Sequence, residues 1–472
     1  MLHKDLPLNE THEFTGTWWI PDQPDSKSIG RLTLSPTNGI LLRIESPDRG
    51  VLATYQGCDV NRNGTIHGVL FNGQYEISIL DAFSSGGSQN RSGMGHQNVI
   101  GNVCVVGKHI SSRSEKFFDS IDLQIGGLTD WLRHNPFDVS FSDTDGDLYS
   151  LRCKEIDSVL DFEIEAEQLA FSVFRNFSFP CSQFGDCEVK YSPSLIIQGT
   201  ETFSMSDAEQ LTYSLENLFS IMMGMATSVL KLKCFCNGDE SNKHSVYIPL
   251  YDRQKLLSDT PHPGDILVPF PDFKESMPSI FENWFKSQET EKASRGLFAS
   301  SFREKFSYNT PRFLNCVQAL EVVAQEHVVA CGGSENGIVD QATFKNLKSC
   351  FKSLLKKLEI DPSAIGLLCD KFARINGSPL RSKVDALVKS MPETVRNGLT
   401  LDDDYIAKVI RTRNFYTHYG KKENIFDNDQ IPRVIDKLEC LLLIVQLRSL
   451  SIDPEYAAKK LRSLWRYNHC FA

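Results

Sequence analysis

The chain has 472 residues, of which 41% are hydrophobic and 23% are charged. This composition is ordinary for a folded, water-soluble protein, and it excludes a disordered chain, a collagen-like fibre and a membrane bundle. The length predicts two or three domains. The formal net charge of −10 argues against a nucleic-acid partner when the chain is taken as a whole, but its parts differ in charge.

No targeting or membrane segment is predicted. The first seven residues, Met1-Leu2-His3-Lys4-Asp5-Leu6-Pro7, contain no apolar signal core. The longest apolar stretches, 218–230 and 441–447, are shorter than the roughly 20 residues that span a bilayer. The 13 cysteines are scattered, mostly inside apolar segments, which is typical of reduced thiols. We therefore expect a cytoplasmic protein.

Residues 14 to about 200 are predicted to be rich in β-strands. Short apolar runs alternate with clusters of Gly, Pro, Asn and Asp, as at 40–44, 75–80 and 103–106. Residues 84–95 hold four glycines and four serines, which predicts a hairpin loop. This loop lacks the Gly-Lys-Ser/Thr ending of a phosphate-binding loop, so we assign it no phosphate.

The hydrophobic period changes near residue 206. Ser206-Asp207-Ala208-Glu209 predicts a helix start of the capping-box type, and apolar residues at helical spacing continue to about 229. Two strands are predicted near 230–236 and 245–251. Five prolines between 261 and 278 then predict a linker or crossover.

Residues 301–472 are predicted to be helical throughout, because their apolar residues recur at helical spacing. These apolar residues form three stripes. The helix that carries the last stripe is apolar almost all round, which predicts a central position in a bundle or at a subunit interface. The three stripes are Phe313, Val317, Leu320, Val323 and Ala324; Phe344, Leu347, Phe351 and Leu354; and Val434, Ile435, Leu438, Leu441, Leu442 and Val445.

The helical part is basic and the rest is acidic. Residues 301–472 carry 26 Lys and Arg against 20 Asp and Glu, whereas residues 1–300 carry 24 against 40. This division suggests two roles, of which the basic part is the one suited to a polyanion. We therefore predict an α+β protein with a β-rich region over 1–300, with a possible subdivision near 200, and a helical bundle over 301–472.

The most informative stretch is residues 402–420. Asp402, Asp403 and Asp404 suit a helix N-terminus better than a metal site, because adjacent residues on a helix point in different directions. Arg413 then continues the apolar stripe of this helix, so its guanidinium must meet an anion, an interface or a cleft. His418 lies five residues on, about 140° round a straight helix. Two copies facing each other across a two-fold axis could bring both groups to one phosphate.

Arg413-Asn414-x-x-x-His418 resembles the R-x(4)-H motif of HEPN ribonuclease domains, which are helical bundles that dimerise and build a composite site from two motifs. The similarity extends along most of the chain and identifies the ApeA-like family of bacterial anti-phage proteins. The segments that carry it are Gly16-Thr17-Trp18-Trp19-Ile20-Pro21, Gly30-Arg31-Leu32-Thr33-Leu34, Val106-Gly107-Lys108-His109, Leu128-Thr129-Asp130-Trp131-Leu132 and the helix from Phe313 to Glu321.

The resemblance implies an abortive-infection endoribonuclease that cuts RNA without a metal or cofactor and leaves a 2′,3′-cyclic phosphate. His418 would transfer the proton, Arg413 would hold the scissile phosphate, and Asn414 would orient either the phosphate or His418. Further RNA contacts are expected from Arg411, Lys421, Lys422 and Tyr416, with packing the competing role for Tyr416. Arg381 and Lys383 would extend the track, and Glu321 would either approach Arg413 or be exposed.

The implied partners are RNA, with tRNA as one candidate, a second copy in a homodimer or higher oligomer, and a phage-encoded trigger sensed by the N-terminal region, which would also restrain the nuclease. The expected location is the bacterial cytoplasm, without a membrane partner. A zinc site at Cys181, Cys187, Cys234 and Cys236 is disfavoured, because their spacing does not give two Cys-x(2–4)-Cys pairs.

Two other classes of function stay open. Some HEPN bundles bind nucleotides, RNA or proteins without cutting, so the chain could be an interaction module. The adjacent Trp18 and Trp19 would suit a sugar- or peptide-binding β domain with a helical dimerisation tail. Neighbouring side chains in a strand face opposite ways, however, so at least one of these tryptophans is expected in the core.

Overall fold

The computed structural model describes residues 6–46, 64–72, 75–89, 95–141, 148–154, 160–178, 188–236, 243–249, 262–303, 309–331, 339–358, 360–373, 379–418 and 423–472. The chain divides into two compact units, Met1–Glu282 and Asn283–Ala472. The first unit is built mainly of antiparallel strands and the second of helices, which confirms the predicted α+β architecture.

The first unit contains one large antiparallel sheet and one small one. Within the described residues the large sheet has 13 strands in the order β11-β12-β13-β8-β14-β15-β7-β5-β4-β1-β2-β3-β6, and β9 pairs with β10 separately. The strands are β1 His12–Trp19, β2 Ser28–Ser35, β3 Gly39–Ser46, β4 Gly64–Leu70, β5 Glu76–Gln89, β6 Gly95–Gly101, β7 Val103–Val106, β8 Lys116–Ile125, β9 Phe137–Phe141, β10 Leu148–Cys153, β11 Asp161–Ile164, β12 Leu169–Ser178, β13 Lys190–Ser204, β14 Val229–Phe235 and β15 Lys243–Tyr247.

Strand β5 belongs to two parts of this sheet. Its first half pairs with β4 and β7, and its second half pairs with β6. Because β6 also pairs with β3, the strands β5, β4, β1, β2, β3 and β6 close into a ring, and the remaining seven form an arm that leaves the ring through β7. Asp81 marks the change of partners, with a left-handed φ of 52°, a conformation that Asp tolerates better than most residues.

The core of the first unit is aromatic. Trp18 is fully buried, and its indole N–H donates to the Gly30 carbonyl at 3.1 Å. Gly68 lies against the same ring, so an added Cβ would come within 2.3 Å of Trp18 Cε3. Trp131 is also fully buried and donates to the Val268 carbonyl at 2.7 Å. Trp19 is 8% exposed, so both residues of the tryptophan pair are in the core.

Two local predictions for this unit were wrong in detail. Residues 84–89 continue strand β5, and β6 begins at Gly95. Most of the residues predicted to form a hairpin loop therefore belong to paired strands. The long helix begins after Ser204, whose side chain and Asp207 cap each other reciprocally, two residues earlier than predicted. Within the proline-rich stretch, residues 266–268 are fully buried, so this part of the predicted linker or crossover is packed.

Thirteen α-helices are present in the described parts of the chain, and none of them is long and apolar enough to cross a bilayer. Nine lie wholly in the second unit. The helices are α1 Leu128–Leu132, α2 Met205–Met223, α3 Phe270–Phe273, α4 Met277–Lys286, α5 Gln288–Arg303, α6 Asn309–Ala330, α7 Gln341–Lys357, α8 Pro362–Ala373, α9 Leu380–Lys389, α10 Glu393–Gly398, α11 Asp403–His418, α12 Ile431–Ser449 and α13 Pro454–Ser463.

Helix α12 is the centre of the second unit, as its apolar stripe predicted. Every residue from Leu438 to Leu447 is buried, and the helix packs on α5, α6 and α13. Glu439 lies in the middle with no exposed surface, and its carboxylate accepts hydrogen bonds from Arg312 of α6 at 2.8 Å and from Arg466 at 2.9 Å. Tyr467 adds a third hydrogen bond to this carboxylate at 3.3 Å.

Helices α7 and α8 form a hairpin with a small core of its own. Leu355, Ile365 and Cys369 are buried there, and Phe351 stacks on Phe372 at 4.3 Å between ring centroids. The apolar stripe predicted for this segment is only partly covered, because Leu347 and Leu354 are 45% and 53% exposed. The hairpin therefore leaves much of α7 open to solvent.

Candidate active site on helix α11

Helix α11 is fixed by a cap at its start and by an apolar face along its length. The Asp402 carboxylate accepts a hydrogen bond from the Tyr405 backbone N–H at 2.7 Å, which supports capping rather than metal binding by the aspartates. Ile406 and Val409 are each 1% exposed, and α11 packs on α6 and α9 through this face. The packing holds the last two turns of the helix in place.

Arg413 leaves this apolar face at the edge of the unit, where its side chain is 22% exposed. Its Nη2 donates to Glu321 of α6 at 3.3 Å and its Nη1 donates to the neighbouring Asn414 at 3.2 Å. These two contacts use one N–H on each terminal nitrogen. Because a guanidinium has five N–H donors, three more can be offered to an anion.

His418 is the last residue of α11 and is exposed. Within the described residues it forms no hydrogen bond with Arg413 or Asn414, as expected for positions five and four residues apart on one helix. The motif of one chain thus presents a cation and a titratable imidazole on different sides of the same helix end.

A buried threonine ties the helix end to the segment that follows it. The Thr412 hydroxyl donates to the Lys408 carbonyl at 2.7 Å and accepts a hydrogen bond from the Phe426 backbone N–H at 3.0 Å. The ring of Phe426 packs on Tyr405 and under the Lys408 ammonium. Lys421 and Lys422, predicted to contact RNA, lie outside the described residues.

The other predicted RNA contacts have different surroundings. Arg411 is 42% exposed and lies 4.0 Å from Asp404, so it is available at the surface. Tyr416 is half-buried, with its hydroxyl donating to Asn428 at 3.0 Å and its ring against Phe313. These contacts favour packing as the role of Tyr416.

The predicted extension of the track begins on α9. Arg381 lies 3.7 Å from Asp385 on the same helix and donates to the Asp403 carbonyl at 3.5 Å. Its side chain is nevertheless 52% exposed. Arg381 is thus a surface cation next to the start of α11, whereas Arg413 lies near its end.

The cysteines considered for zinc are divided between described and undescribed parts of the chain. Cys181 and Cys187 lie outside the described residues. Cys234 is fully buried, and burial raises the pKa of its thiol far above the ordinary value. Burial also raises the pKa of Cys236 to about 11. Across the residues that the structure covers, no three His, Cys, Asp or Glu side chains are grouped to hold a metal ion.

Comparison with known families matches both units. The model named ApeA N-terminal domain 1 matches residues 13–284, and the Apea-like HEPN model matches residues 314–456. The chain belongs to the ApeA-like family. Its two domains fit a family of defence nucleases, and Arg413, Asn414 and His418 all lie within the HEPN match. No match was found among curated proteins or among solved structures.

The contact between Glu321 and Arg413 was open at the sequence level. The two residues are 92 positions apart, and the apolar stripe of α6 runs beside Glu321 without fixing which helix it faces. The structure shows pairing rather than simple exposure. A search for a charge of opposite sign at the border of another apolar stripe would have found this pair among several candidates.

Proposed function

We propose that this protein is an endoribonuclease of bacterial defence that cuts RNA at a composite site formed by the R-x(4)-H motifs of two copies. One observation carries most weight. Arg413 is held at the edge of α11 by Glu321 and Asn414 while retaining unused donors, and an exposed imidazole, His418, ends the same helix. Both lie inside the HEPN match.

The residue types fit cleavage by the neighbouring 2′-hydroxyl. His418 can accept the proton of this hydroxyl or give one to the leaving 5′-oxygen, because imidazole titrates near neutral pH. Arg413 stays cationic and binds phosphate oxygens bidentately, which offsets the charge that develops on the phosphorane. Attack by the 2′-oxygen breaks the P–O5′ bond. The products are a 2′,3′-cyclic phosphate and a 5′-hydroxyl.

A second copy supplies what one helix cannot. The five residues between Arg413 and His418 correspond to about 140° of rotation and 7.5 Å along a helix, so one phosphate cannot easily meet both groups of one chain. A two-fold axis near the end of α11 would bring the arginine of one copy towards the histidine of the other. Isologous association of this kind is the commonest oligomeric arrangement.

The N-terminal unit is proposed to control this activity. A nuclease that acts on the RNA of its own host must be held inactive until infection. We infer that the first unit senses a phage-derived trigger and releases the helical unit. The acidic balance of residues 1–300 suits a region that does not itself bind RNA.

Cleavage assays on total cellular RNA in the presence of EDTA test the proposal. Wild type is expected to create new ends with a 5′-hydroxyl and a cyclic phosphate, and Arg413→Ala and His418→Ala are each expected to lose about 10²- to 10⁴-fold in rate. Arg462→Ala, which removes an exposed arginine elsewhere in the second unit, is the matched control. Undiminished cleavage by both site variants would refute the assignment, and RNA that stays bound but intact would favour a binding module.

Mixed oligomers test whether the site is shared between copies. Co-expressed chains carrying Arg413→Ala and His418→Ala would restore one complete arginine–histidine set across the axis. Partial recovery of cleavage is therefore expected from the mixed dimer and not from either parent. A mixed dimer as inactive as both parents would place the working pair within one chain.

A further inference from the structure

We propose that helix α7 is an RNA-docking helix, which holds the phosphate backbone through a stripe of lysines and guides the strand towards the α11 site. The inference rests on the ribonuclease function proposed above. Four exposed lysines, Lys345, Lys348, Lys352 and Lys356, define this lysine stripe. At 100° per residue they fall within an arc of about 80°, over about 16 Å of helix.

The stripe has no acidic partner within its own helix. Helix α7 contains five lysines and no acidic residue, so no Glu–Lys or Asp–Lys pair can form along it. Lys348, Lys352 and Lys356 instead repeat at intervals of four, and each like-charged pair destabilises a helix by roughly 0.2–0.5 kcal/mol. A bound polyanion would remove this repulsion.

Helix electrostatics explain only part of this pattern. Lys356 and Lys357 lie in the last turn, where the macrodipole favours cations. Lys345 and Lys348 lie in the first half of the helix, where the dipole gives no such benefit. The helix start is already capped by Asp340, whose carboxylate accepts from the Thr343 N–H at 2.9 Å. The N-terminal lysines therefore do not stabilise the helix that carries them.

Folding does not require the stripe either. The apolar contacts of α7 with α8 are made by Phe344, Phe351 and Leu355, on a face that adjoins the stripe and is centred about 80° from it. The exposed Leu347 and Leu354 also lie away from the lysines. The four lysines are exposed and lie beside this packed face rather than forming it.

In chain order, the hairpin lies between the two helices that support the site. Helix α7 follows α6, which carries Glu321, and α8 precedes α9, which packs on α11. The hairpin is therefore inserted between the two helices that support Arg413. Lysine ammonium groups act as point charges towards phosphates and read no sequence, which suits a guide for single-stranded RNA better than a determinant of the cut site.

Binding measurements in a cleavage-blocked background test this proposal. In full-length His418→Ala protein, the four stripe lysines are changed to Gln, and a labelled oligouridylate of about 20 nucleotides serves as the probe. Affinity at about 50 mM salt is expected to fall at least roughly tenfold, and the slope of log K against log salt should fall by roughly 3, near 0.7 for each lost phosphate contact.

A matched variant separates position from charge. Lys286, Lys292, Lys389 and Lys459 are exposed lysines on other helices of the second unit, and changing all four to Gln removes the same charge. This control should keep most of the affinity and slope. An equal loss in both quadruple variants would overturn the proposal, because the effect would then be one of net charge.

Two further outcomes distinguish this inference from the function beneath it. The stripe substitutions are also made in the wild-type chain. If wild type cleaves RNA and the stripe variants bind and cleave like the proteins from which they were made, the docking helix is refuted and the nuclease stands. If wild type neither binds nor cleaves RNA, the proposed function itself has failed. A change in oligomeric mass with unchanged RNA affinity would assign the stripe to protein association and would also overturn the proposal.

Discussion

Helix α6 takes part in two Arg–Glu contacts that differ in almost every physical respect. Near its start, Arg312 reaches Glu439, whose carboxylate is fully buried and also accepts from Arg466 and Tyr467. Nine residues later, Glu321 pairs with Arg413, and the side chains of these two residues are 37% and 22% exposed, respectively. The Glu439 carboxylate accepts hydrogen bonds at both oxygens, whereas the Arg413 guanidinium keeps N–H donors that no described residue uses. A buried carboxylate paired at both oxygens marks structure, and a partly exposed guanidinium with spare donors is suited to a ligand.

The strongest test of this contrast removes the buried carboxylate. Glu439→Ala would leave Arg312 and Arg466 without their shared anion, and breaking a buried ion pair typically costs 3–5 kcal/mol. We expect a loss of about that size in the free energy of unfolding, measured by urea denaturation. Glu423→Ala, at an exposed position, is the control. A loss below about 1 kcal/mol would show that the Glu439 cluster is not structural.

A smaller effect is expected where the site meets the core. Thr412→Val keeps the shape of the side chain but leaves the buried N–H of Phe426 without its acceptor. An unsatisfied buried donor costs about 1–3 kcal/mol. Urea denaturation should show this loss, and hydrogen exchange should show faster exchange at Phe426. Unchanged protection of that amide would mean that Thr412 does not anchor the segment.

The third prediction concerns pH. Burial, and after it the nearby Glu291, raise the pKa of Glu326 to about 7 against the opposing effect of Arg295. The folded protein therefore holds this proton more tightly than the unfolded chain, so the contribution of Glu326 to stability falls as the pH rises from about 4.5 to 7. Because Glu326 is half-buried, solvent screening reduces the effect to about 1–2 kcal/mol.

Glu326→Gln tests this dependence directly. The variant cannot ionise, so it should be more stable than wild type at pH 8 and nearly equal to it at pH 5. Urea denaturation across this range gives the comparison. Glu455→Gln, at an exposed position, should show no such trend. A constant difference between Glu326→Gln and wild type at all pH values would contradict the raised pKa.

The smallest effect on stability is expected at the exposed contact. Glu321→Gln removes the charge beside Arg413 but keeps an acceptor, and pairs that solvent reaches contribute about 0–1 kcal/mol. We expect the free energy of unfolding to change by less than 1 kcal/mol, while RNA cleavage changes measurably because Arg413 loses its fixed orientation. A stability loss like that of Glu439→Ala would erase the distinction between the two contacts.

Predictions from the sequence succeeded where periodicity decides the structure. The buried stripes of α6 and α12 follow from spacing alone, because a helix with that many apolar residues must face a core. The capping role of Asp402 likewise follows from local chemistry. Family resemblance added the domain order and the candidate site, which composition and spacing could not have identified.

The failures share a dependence on distant partners. Residues 84–89 form a strand because β6 pairs with them across the sheet, although their Gly and Ser content favours a loop. Leu347 and Leu354 have the spacing of core residues but no neighbouring helix covers them. The approach of Glu321 to Arg413 depends on which helices pack together, and no pattern within either helix contains that information.

Strand β5 has a consequence for whether the first unit can be divided into smaller modules. One continuous stretch of backbone supplies hydrogen bonds to the ring on one side of Asp81 and reaches into the arm on the other. A break before Asp81 would remove ladder partners from the ring strand β4 and the arm strand β7 at once. The ring and the arm are therefore expected to behave as one module, which agrees with a single family model spanning nearly all of the first unit.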